Sequence, residues 1–223
     1  MLEEILPSEV VAAETREDAM DVVLFPAEEV IVGQAVEKRR REFTTVRACA
    51  REAFARLGLP AVPVTSGERG EPQWPSGVVG SITHCESYRA CALARSHEIA
   101  TVGIDAEPNA PLPDGVLEDI ARAEELPWLE RLHREEPAVH WDRLLFSAKE
   151  SVYKAWFPLA RRWLGFEDAI VTVDSVRHTF SARLLVPGPA FAGLPLEGFC
   201  GRWLMREGLV LTAIALAAAP PST

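Results

Sequence analysis

Two acidic residues, Asp105 and Glu107, stand one residue apart at the end of an apolar stretch that predicts a β-strand over Ile99–Glu107. Side chains alternate between the two faces of a strand, so both carboxylates point to the same side. Carboxylates this close raise each other's pKa unless a cation lies between them. Mg²⁺ prefers oxygen ligands and commonly binds substrate phosphate as well. The same spacing is typical of two solvent-facing acids on an edge strand, and the motif alone leaves both interpretations open.

A second pair, Glu150 and Lys154, lies in the segment FSAKESVYKAW, which predicts a helix from Ser147 to Trp156 that ends before Pro158. Residues four apart share one helix face. A carboxylate beside a metal can accept a hydroxyl proton, and a lysine can neutralise the charge that builds on a departing phosphate. The structural alternative is a capping box between Ser147 and Glu150, followed by a surface ion pair.

Positive charge is concentrated in one segment of an otherwise acidic chain. The 223 residues carry a net charge of −10, which argues against a general nucleic-acid binder. The segment Lys38–Arg56 nevertheless holds seven basic residues against two acidic ones. Apolar residues at spacings of three, four and seven predict that it lies in a helix from Gln34 to Leu57. Such a patch indicates a small polyanion as the ligand.

Targeting and metal-binding motifs of other protein classes are missing from the sequence. The first residues are acidic and interrupted by Pro7, unlike a signal peptide. The longest apolar run, Gly208–Ala219, is shorter than the roughly 20 residues that cross a bilayer, and it predicts a buried strand. The four cysteines lack the paired spacing of a zinc site. We therefore expect a cytoplasmic protein that binds neither membrane nor nucleic acid.

The remaining pattern predicts short strands separated by turns. A Gly- and Pro-rich turn covers Ser66–Gly77, and a tight connection containing His84 joins two strands. The predicted elements are strands over Val78–Thr83, Tyr88–Ala94, Ala169–Val173, Phe180–Val186 and Phe199–Ala217, and a helix over Gly115–Arg134 that breaks near Pro127. Helices followed by strands, twice over, predict an α+β fold with two similar halves. With a linker at Pro108–Pro113, we expect halves at 1–108 and 109–223 within one compact unit.

Several motifs in a fixed order resemble one enzyme family. VGIDAEP (Val102–Pro108) followed by FSAKESVYKAW (Phe146–Trp156) resembles the two-part signature of the surfactin-type 4′-phosphopantetheinyl transferases. WPSGVVGSITHC (Trp74–Cys85) is similar to a third motif of that family. KRRREFTTVRACAR (Lys38–Arg51) and KAWFPLARRWLGFEDA (Lys154–Ala169) further resemble its actinobacterial subgroup, which includes the mycobacterial enzyme. The likeness covers nearly the whole chain.

The resemblance implies both an activity and an architecture. Members transfer 4′-phosphopantetheine from coenzyme A to a serine of an apo acyl, peptidyl or aryl carrier protein and release adenosine 3′,5′-bisphosphate. The modified carrier then serves fatty acid, polyketide or nonribosomal peptide synthesis, siderophores included. The implied fold has two pseudosymmetric halves, each a small antiparallel sheet packed with a long helix, with coenzyme A in the cleft between them. We expect a monomer.

The resemblance also assigns roles to the carboxylate and lysine motifs. Asp105 and Glu107 would bind Mg²⁺, or Mn²⁺ in its place, with Ala106 close to the ion. Glu150 would be the third carboxylate and the base that takes the serine proton, directly or through water. Lys154 would contact the coenzyme A pyrophosphate and assist departure of the nucleotide. Asp105, Glu150 and Lys154 would thus form the catalytic set.

Coenzyme A would also contact residues outside these motifs. The family pattern implies that Arg39 and Arg47 hold the adenosine 3′-phosphate, and residues eight apart lie close to one helix face. It further implies contacts from the turn residues Ser66, Gly67 and Arg69 to the nucleotide, and from Thr83 and His84 to phosphate.

Two positions depart from the family pattern. Ser66 stands where the subgroup can have a lysine, and Glu71 stands where many members carry a basic residue. Arg69 can supply the missing charge. We also expect an exposed strip that includes Arg161 and Arg162 to receive the carrier protein.

Two other functional classes stay open from the residues alone. Metal-dependent phosphohydrolases and nucleotidyl transferases also use paired carboxylates with Mg²⁺. A non-catalytic coenzyme A or carrier-binding protein would bind without transfer, although the intact Asp105, Glu107, Glu150 and Lys154 argue against such a loss of activity.

Overall fold

The structure is a computed structural model, and it describes residues 1–219. The helices in this range are α1 (Pro26–Val32), α2 (Glu37–Arg56), α3 (Val116–Ile120), α4 (Leu126–Glu135) and α5 (Trp141–Ala160). The strands are β1 (Val10–Thr15), β2 (Thr65–Ser66), β3 (Pro72–Gln73), β4 (Val78–Cys85), β5 (Tyr88–Arg95), β6 (Ile99–Pro108), β7 (Ala169–Asp174), β8 (Thr179–Leu184), β9 (Ala190–Phe191), β10 (Leu194–Pro195), β11 (Gly198–Arg206) and β12 (Leu209–Ala217). Of the helices described, none combines the length and apolar character that a bilayer crossing requires.

Two antiparallel sheets, each with a long helix packed against it, form the body of the protein. The first sheet has the order β1-β5-β4 and packs against α2, and the second has the order β6-β12-β11-β8-β7 and packs against α5. The predicted α+β class, with two halves of helix and antiparallel sheet, is confirmed. A cluster of apolar side chains from the first residues of the chain, β1, β5, β6 and β12 joins the two sheets into one core.

The two sheets meet where β4 runs beside β6. The hydroxyl oxygens of Ser81 and Thr83, both on β4, accept hydrogen bonds from the backbone N–H groups of Ile104 and Ala106, each at 3.1 Å. Side-chain oxygens thus satisfy backbone donors that would otherwise be buried without a partner. This seam places the strand that carries Asp105 directly beside the strand that carries Thr83 and His84.

Strand β6 closes the predicted first half along the sequence, yet it pairs with β12 and so belongs to the second sheet. The division at residue 108 therefore cuts between elements of one sheet, and it stays a prediction. The last four residues of the predicted second half, 220–223, lie outside the described residues.

Helix α5 is twice as long as its sequence motif suggested. The predicted start at Ser147 is wrong, because the helix begins at Trp141 and its buried stripe already includes Leu144 and Leu145. Ser147 is buried in mid-helix, and its hydroxyl lies 2.9 Å from the Thr212 hydroxyl on β12, so it forms no capping box. Pro158 also lies inside the helix, which continues to Ala160.

Two strand boundaries also differ from the predictions. In both places, residues with positive φ form a turn that ends one strand and begins the next. His84 lies within β4, and the turn after it is formed by Glu86 and Ser87, with Ser87 at φ 58°. The predicted strand Phe199–Ala217 is a hairpin of β11 and β12, because Glu207 and Gly208 both adopt positive φ, as a two-residue hairpin turn requires.

The helical boundaries also shift. Helix α2 begins at Glu37 rather than at Gln34, and Val36 before it is largely exposed instead of joining the apolar stripe. The chain breaks between α3 and α4, and Pro127 lies in the first turn of α4, where its missing N–H costs no helical hydrogen bond.

A buried ion pair joins α5 to the chain around α3 and β7. The Lys149 ammonium lies 2.9 Å from a Glu125 carboxylate oxygen and donates to the carbonyl oxygens of Ile120, Phe166 and Ala169. The Glu125 carboxylate is fully buried and also accepts from the Val171 N–H. Burial lowers the pKa of Lys149, and the neighbouring Glu125 charge opposes that shift. Each charge therefore depends on the other, because neither reaches water.

Replacing Lys149 should destabilise the protein strongly. We expect Lys149→Met to lower the free energy of unfolding by about 3–5 kcal/mol, because it leaves the Glu125 charge buried without its cation. Urea unfolding measures the change, and Lys38→Met, at an exposed position of α2, is the matched control. The double variant Lys149→Met/Glu125→Leu should recover part of the loss. If Lys149→Met were as stable as the control Lys38→Met, the buried pair would not anchor α5.

Candidate active site

A cavity of about 650 Å³ lies between the two halves. Its walls come from α2, the β2–β3 turn, β4, β6 and α5. Ten of the predicted site residues line it: Arg39, Arg47, Ser66, Arg69, Thr83, His84, Asp105, Glu107, Glu150 and Lys154. The other two predicted residues, Gly67 and Ala106, are not among its lining residues. Ala106 directs its side chain into the core shared by the two sheets.

Asp105 is a buried carboxylate with one oxygen bonded and one without a partner. Its side chain is 4% exposed, so the alternative of a solvent-facing acid is wrong for this residue. Oδ1 accepts from the Lys154 ammonium at 2.6 Å and from the Thr83 hydroxyl at 3.3 Å. Oδ2 is buried and has no hydrogen-bond partner among the residues described. A buried carboxylate oxygen of this kind is a suitable ligand for a hard cation.

Glu107 shows the electrostatic effect of two acids on one strand face. Burial, followed by the charge of Asp105, raises the pKa of Glu107 to about 7. The Arg143 guanidinium, whose Nη1 lies 3.0 Å from Glu107 Oε2, opposes this shift. Arg143 also donates to the carbonyl oxygens of Ala110 and Pro111, so it fixes the segment that follows β6.

Arg143 was not among the predicted site residues, because the predicted helix began only at Ser147. Once α5 begins at Trp141, Arg143 falls seven residues before Glu150 and eleven before Lys154, on the same helix face. A search for the helical period upstream of the motif could have found it.

Glu150 lies on the α5 side of the cavity. Burial raises the pKa of Glu150, the Lys154 ammonium lowers it, and the Asp105 carboxylate raises it further. Within residues 1–219, no three His, Cys, Asp or Glu residues are grouped closely enough to hold a metal ion. The predicted convergence of Glu150 with Asp105 and Glu107 is therefore not present as a three-carboxylate cluster in this structure.

The donor set itself fits a divalent cation. Asp105 and Glu107 provide carboxylate oxygens on one strand face, the unpartnered Oδ2 of Asp105 is available, and their mutual repulsion favours a positive charge between them. The Ala106 N–H donates to Thr83 on β4. Because the carbonyl of a strand residue points to the same edge as its N–H, the Ala106 carbonyl also points toward β4. Lys154 balances the charge of Asp105 in this structure.

At the other end of the cavity, two guanidinium groups lie close enough to repel each other. Burial lowers the pKa of Arg47 to about 10, the Glu28 carboxylate opposes that shift, and the nearby Arg39 adds to it. Arg47 is therefore still charged at neutral pH. Its Nε donates to the Val64 carbonyl at 2.8 Å, and its guanidinium packs on the Phe43 ring. Paired guanidiniums in a cavity wall are well suited to a phosphate.

His84 connects this end of the cavity to the carboxylate pair. Its Nε2 lies 2.9 Å from Arg39 Nη1, so the ring accepts a hydrogen bond from that guanidinium. His84 is an exposed residue, but desolvation at the cavity wall, followed by the charge of Arg39, lowers its pKa. The ring is therefore neutral near pH 7.

The turn between β2 and β3 is held by Glu71. Its carboxylate accepts from the Arg69 N–H at 3.0 Å and from the Gln73 side-chain amide at 3.1 Å, and it lies 4.0 Å from an Arg161 nitrogen. The acid that replaces a basic residue of the family pattern thus organises the turn.

The cavity wall also includes aromatic residues that were predicted to be core or were not assigned to the site: Phe43, Trp74, Phe146, Tyr153 and Phe157.

Comparisons with known proteins point to one family. Residues 27–94 match the model of the 4′-phosphopantetheinyl transferase N-terminal domain, and residues 101–192 match the 4′-phosphopantetheinyl transferase superfamily. The chain is 55% identical to the 4′-phosphopantetheinyl transferase Svp of Streptomyces mobaraensis, over 98% of this chain and 90% of that protein. It is 51% identical to Npt of Nocardia iowensis, over 97% and 100%, and 48% identical to PptT of Mycobacterium tuberculosis, over 92% and 91%.

The raised pKa of Glu107 predicts a pH-dependent penalty on stability. In the metal-free protein the penalty is absent well below the pKa of the unfolded chain, near 4.5; it grows as the pH rises from there to about 7, and it stays constant at higher pH. We therefore expect Glu107→Gln to have a higher melting temperature than the unsubstituted protein at pH 8, and the difference to shrink to zero as the pH falls below about 4.5. Thermal unfolding with a chelator present measures this, with Glu98→Gln, at an exposed turn, as the control. A difference between Glu107→Gln and the unsubstituted protein that does not change with pH would contradict the assignment of this pKa.

Proposed function

The chain belongs to the 4′-phosphopantetheinyl transferase superfamily and transfers phosphopantetheine from coenzyme A to carrier proteins, and we propose that the cavity between its halves is where this reaction occurs. One observation carries the proposal: a single cavity combines two guanidinium groups at one end with paired carboxylates, a lysine and a third acid at the other. Coenzyme A requires this combination, because its phosphates lie at two separated positions. We further propose that the chain is of the surfactin type, within the actinobacterial subgroup.

The carboxylates would hold Mg²⁺, or Mn²⁺ in its place. Asp105 and Glu107 would be ligands, with Ala106 close to the ion, and Glu150 would complete the set after a local rearrangement. The unpartnered Asp105 oxygen and the repulsion between Asp105 and Glu107 support this assignment. When bound, the cation would neutralise charge on the pyrophosphate oxygens.

The basic residues would orient coenzyme A. We assign Arg39 and Arg47 to the adenosine 3′-phosphate, because both line the cavity and the pKa of Arg47 leaves it charged. Thr83 and the neutral ring of His84 would contact phosphate through hydrogen bonds.

The turn of Ser66, Gly67 and Arg69 would lie against the nucleotide. Arg69 would provide the positive charge that Ser66 does not, since Glu71 holds the backbone N–H of Arg69 and so fixes its position.

Lys154 and Glu150 would act on the reacting groups. The serine oxygen of the carrier forms a bond to the β-phosphorus of coenzyme A, and the bond from that phosphorus to the bridging oxygen breaks, which releases adenosine 3′,5′-bisphosphate. Glu150 would take the serine proton, and its raised pKa makes it a stronger acceptor. Lys154 would turn from Asp105 to the leaving phosphate and neutralise its charge.

The wider setting completes the proposal. We propose a cytoplasmic monomer whose partners are acyl, peptidyl or aryl carrier domains rather than nucleic acid or membrane. Its product would serve fatty acid, polyketide or nonribosomal peptide synthesis, siderophores included. The two halves, 1–108 and 109–223, would act as one unit, because both contribute walls to the cavity.

A transfer assay tests the proposal. The protein is incubated with an apo-carrier protein, coenzyme A and Mg²⁺, and the carrier is weighed by mass spectrometry. We expect the carrier to gain the mass of one phosphopantetheine group and adenosine 3′,5′-bisphosphate to appear in equal amount. Release of nucleotide with no change in the carrier would indicate a phosphohydrolase instead. Binding of coenzyme A with neither product would indicate a non-catalytic binding protein.

Removal of the proposed base should slow transfer and spare binding. We expect Glu150→Gln to reduce the transfer rate by ~10²–10⁴-fold, the usual contribution of a general base. The dissociation constant of coenzyme A, measured by calorimetry, should stay nearly unchanged, because Gln keeps the size and polarity of the side chain. Glu118→Gln, at an exposed position of α3 that does not line the cavity, is the matched control. Normal turnover by Glu150→Gln would exclude it as the base.

Charge reversal beside the cavity mouth tests the carrier surface. Arg161 and Arg162 follow α5, are exposed, and stand beside the exposed Trp163. We expect Arg161→Glu/Arg162→Glu to raise KM for an acidic carrier roughly tenfold through like-charge repulsion, and to raise KM for coenzyme A much less. Arg134→Glu, on the exposed end of α4, should change neither. An unchanged KM for the carrier would place its docking surface elsewhere.

A further inference from the structure

Glu28 is a buried carboxylate that the proposed reaction does not use. It lies on α1, is 1% exposed, and does not line the cavity. A buried acid is costly unless cations or hydrogen-bond donors surround it. Glu28 has four such neighbours: the backbone N–H groups of Phe25 and Val64 and the guanidinium groups of Arg47 and Arg51. They connect α1 to α2 and to the segment that precedes β2.

The two oxygens of Glu28 divide these contacts between them. Oε2 accepts from the Phe25 N–H at 3.0 Å and from Arg51 Nη2 at 2.9 Å, which ties α1 to α2. Oε1 accepts from the Val64 N–H at 3.0 Å and lies 3.8 Å from Arg47 Nε. The Oε1 contacts are the ones that reach the cavity wall.

Arg47 is held on two sides by this arrangement. Its Nε donates to the Val64 carbonyl, while the Val64 N–H is bonded to Glu28. The inner edge of the guanidinium is therefore committed to Glu28 and to Val64. The Arg47 side chain is only 5% exposed, and it lines the cavity. Its direction is consequently set by Glu28, Val64 and the Phe43 ring on which it packs, and not by contact with solvent.

Glu28 also anchors the chain that leads into the β2–β3 turn. Val64 immediately precedes Thr65 and Ser66 of β2, and the turn that contains Arg69 follows. One carboxylate thus contacts both Arg47 and the residue from which this turn begins. The negative charge of Glu28 further opposes the repulsion that Arg39 and Arg51 exert on Arg47, since it raises the pKa of Arg47 while the other two lower it.

We propose that Glu28 is a positioning residue that gives the enzyme its selectivity for the 3′-phosphate of coenzyme A, by holding Arg47 and the root of the Ser66–Arg69 turn in place. This inference rests on the proposed role of Arg47. Because Glu28 does not line the cavity and contacts neither the carboxylate pair nor Lys154, its effect is confined to the 3′-phosphate and leaves the chemical step unchanged.

The test compares coenzyme A with 3′-dephospho-coenzyme A, which lacks only the phosphate in question. The selectivity is the ratio of the two kcat/KM values, measured with one enzyme preparation and one apo-carrier protein. This ratio does not depend on the fraction of enzyme that is folded, because that fraction cancels. We expect Glu28→Gln to lower the ratio roughly tenfold, the loss that follows when one charge-assisted contact is removed. The kcat for coenzyme A should stay unchanged.

Two control variants separate positioning from general destabilisation. Glu29→Gln changes the neighbouring exposed acid on the same helix, whose partner is Arg40, and should leave the ratio unchanged. Arg51→Met removes a different partner of Glu28 and weakens the same cluster, but it spares the contacts to Arg47 and Val64. It should lower the melting temperature without changing the ratio.

A double-variant cycle tests whether Glu28 acts through Arg47. Arg47→Gln should lower the ratio at least as far as Glu28→Gln, and the combined variant should show no further loss, because the two residues serve one contact. Additive losses would mean that Glu28 acts on selectivity independently of Arg47, which overturns the proposal. If Glu28→Gln yields no folded protein, Glu28→Asp replaces it under the same criteria, since Asp keeps the charge but shortens the reach to Val64.

The outcomes distinguish this inference from the proposed function. If the unsubstituted enzyme transfers from both substrates equally well, the assignment of Arg39 and Arg47 to the 3′-phosphate is wrong, and the inference falls with it. If the unsubstituted enzyme prefers coenzyme A and Glu28→Gln keeps the full preference, the role of Glu28 alone is overturned. A ratio lowered by Arg51→Met to the same extent also overturns it, because the selectivity would then depend on the packing of α1 against α2 in general and not on the contacts of Glu28 to Arg47 and Val64.

Discussion

The carboxylates of Asp105 and Glu107 share one face of β6 with little access to water, and their mutual repulsion is the constraint around which the site is arranged. Lys154 from α5 balances Asp105, and Arg143 from the same helix balances Glu107. Both cations come from one helix because α5 packs directly on β6. The packing of that helix on that strand therefore decides how much negative charge the cavity can keep and where it lies.

Elsewhere in the protein, other buried charges follow the same rule. Lys149 is paired with Glu125 behind the reactive face of α5, and Glu28 is paired with Arg51 and Arg47 behind the guanidinium end of the cavity. Desolvation would make each of these ions unfavourable alone. In both places the pair joins separate elements, α5 to the chain around α3 and β7 in one case and α1 to α2 in the other. Ion pairs behind the cavity thus fix the elements that carry the residues in front of it.

Local patterns were sufficient to find the two charged motifs that line the cavity. Asp105 and Glu107 follow from alternation along a strand, and Glu150 and Lys154 from the helical period, because both periodicities are properties of the backbone. The boundaries of α5 did not follow, since Ser147 resembles a helix start when read locally. The contact that overrides this signal comes from Thr212, which is 65 residues away.

The sequence by itself therefore determined the class of fold, the motifs and the faces that they share, because these depend on residue types at short spacing. Tertiary structure alone decided that β6 pairs with β12, that Arg143 reaches Glu107, and that Glu28 lies behind Arg47. It also decided that, in the described part of the chain, Glu150 forms no three-carboxylate cluster with Asp105 and Glu107. The physical reason is the same in each case: burial and pairing of charges depend on residues brought together from distant positions, and a short stretch of sequence carries no record of its distant neighbours.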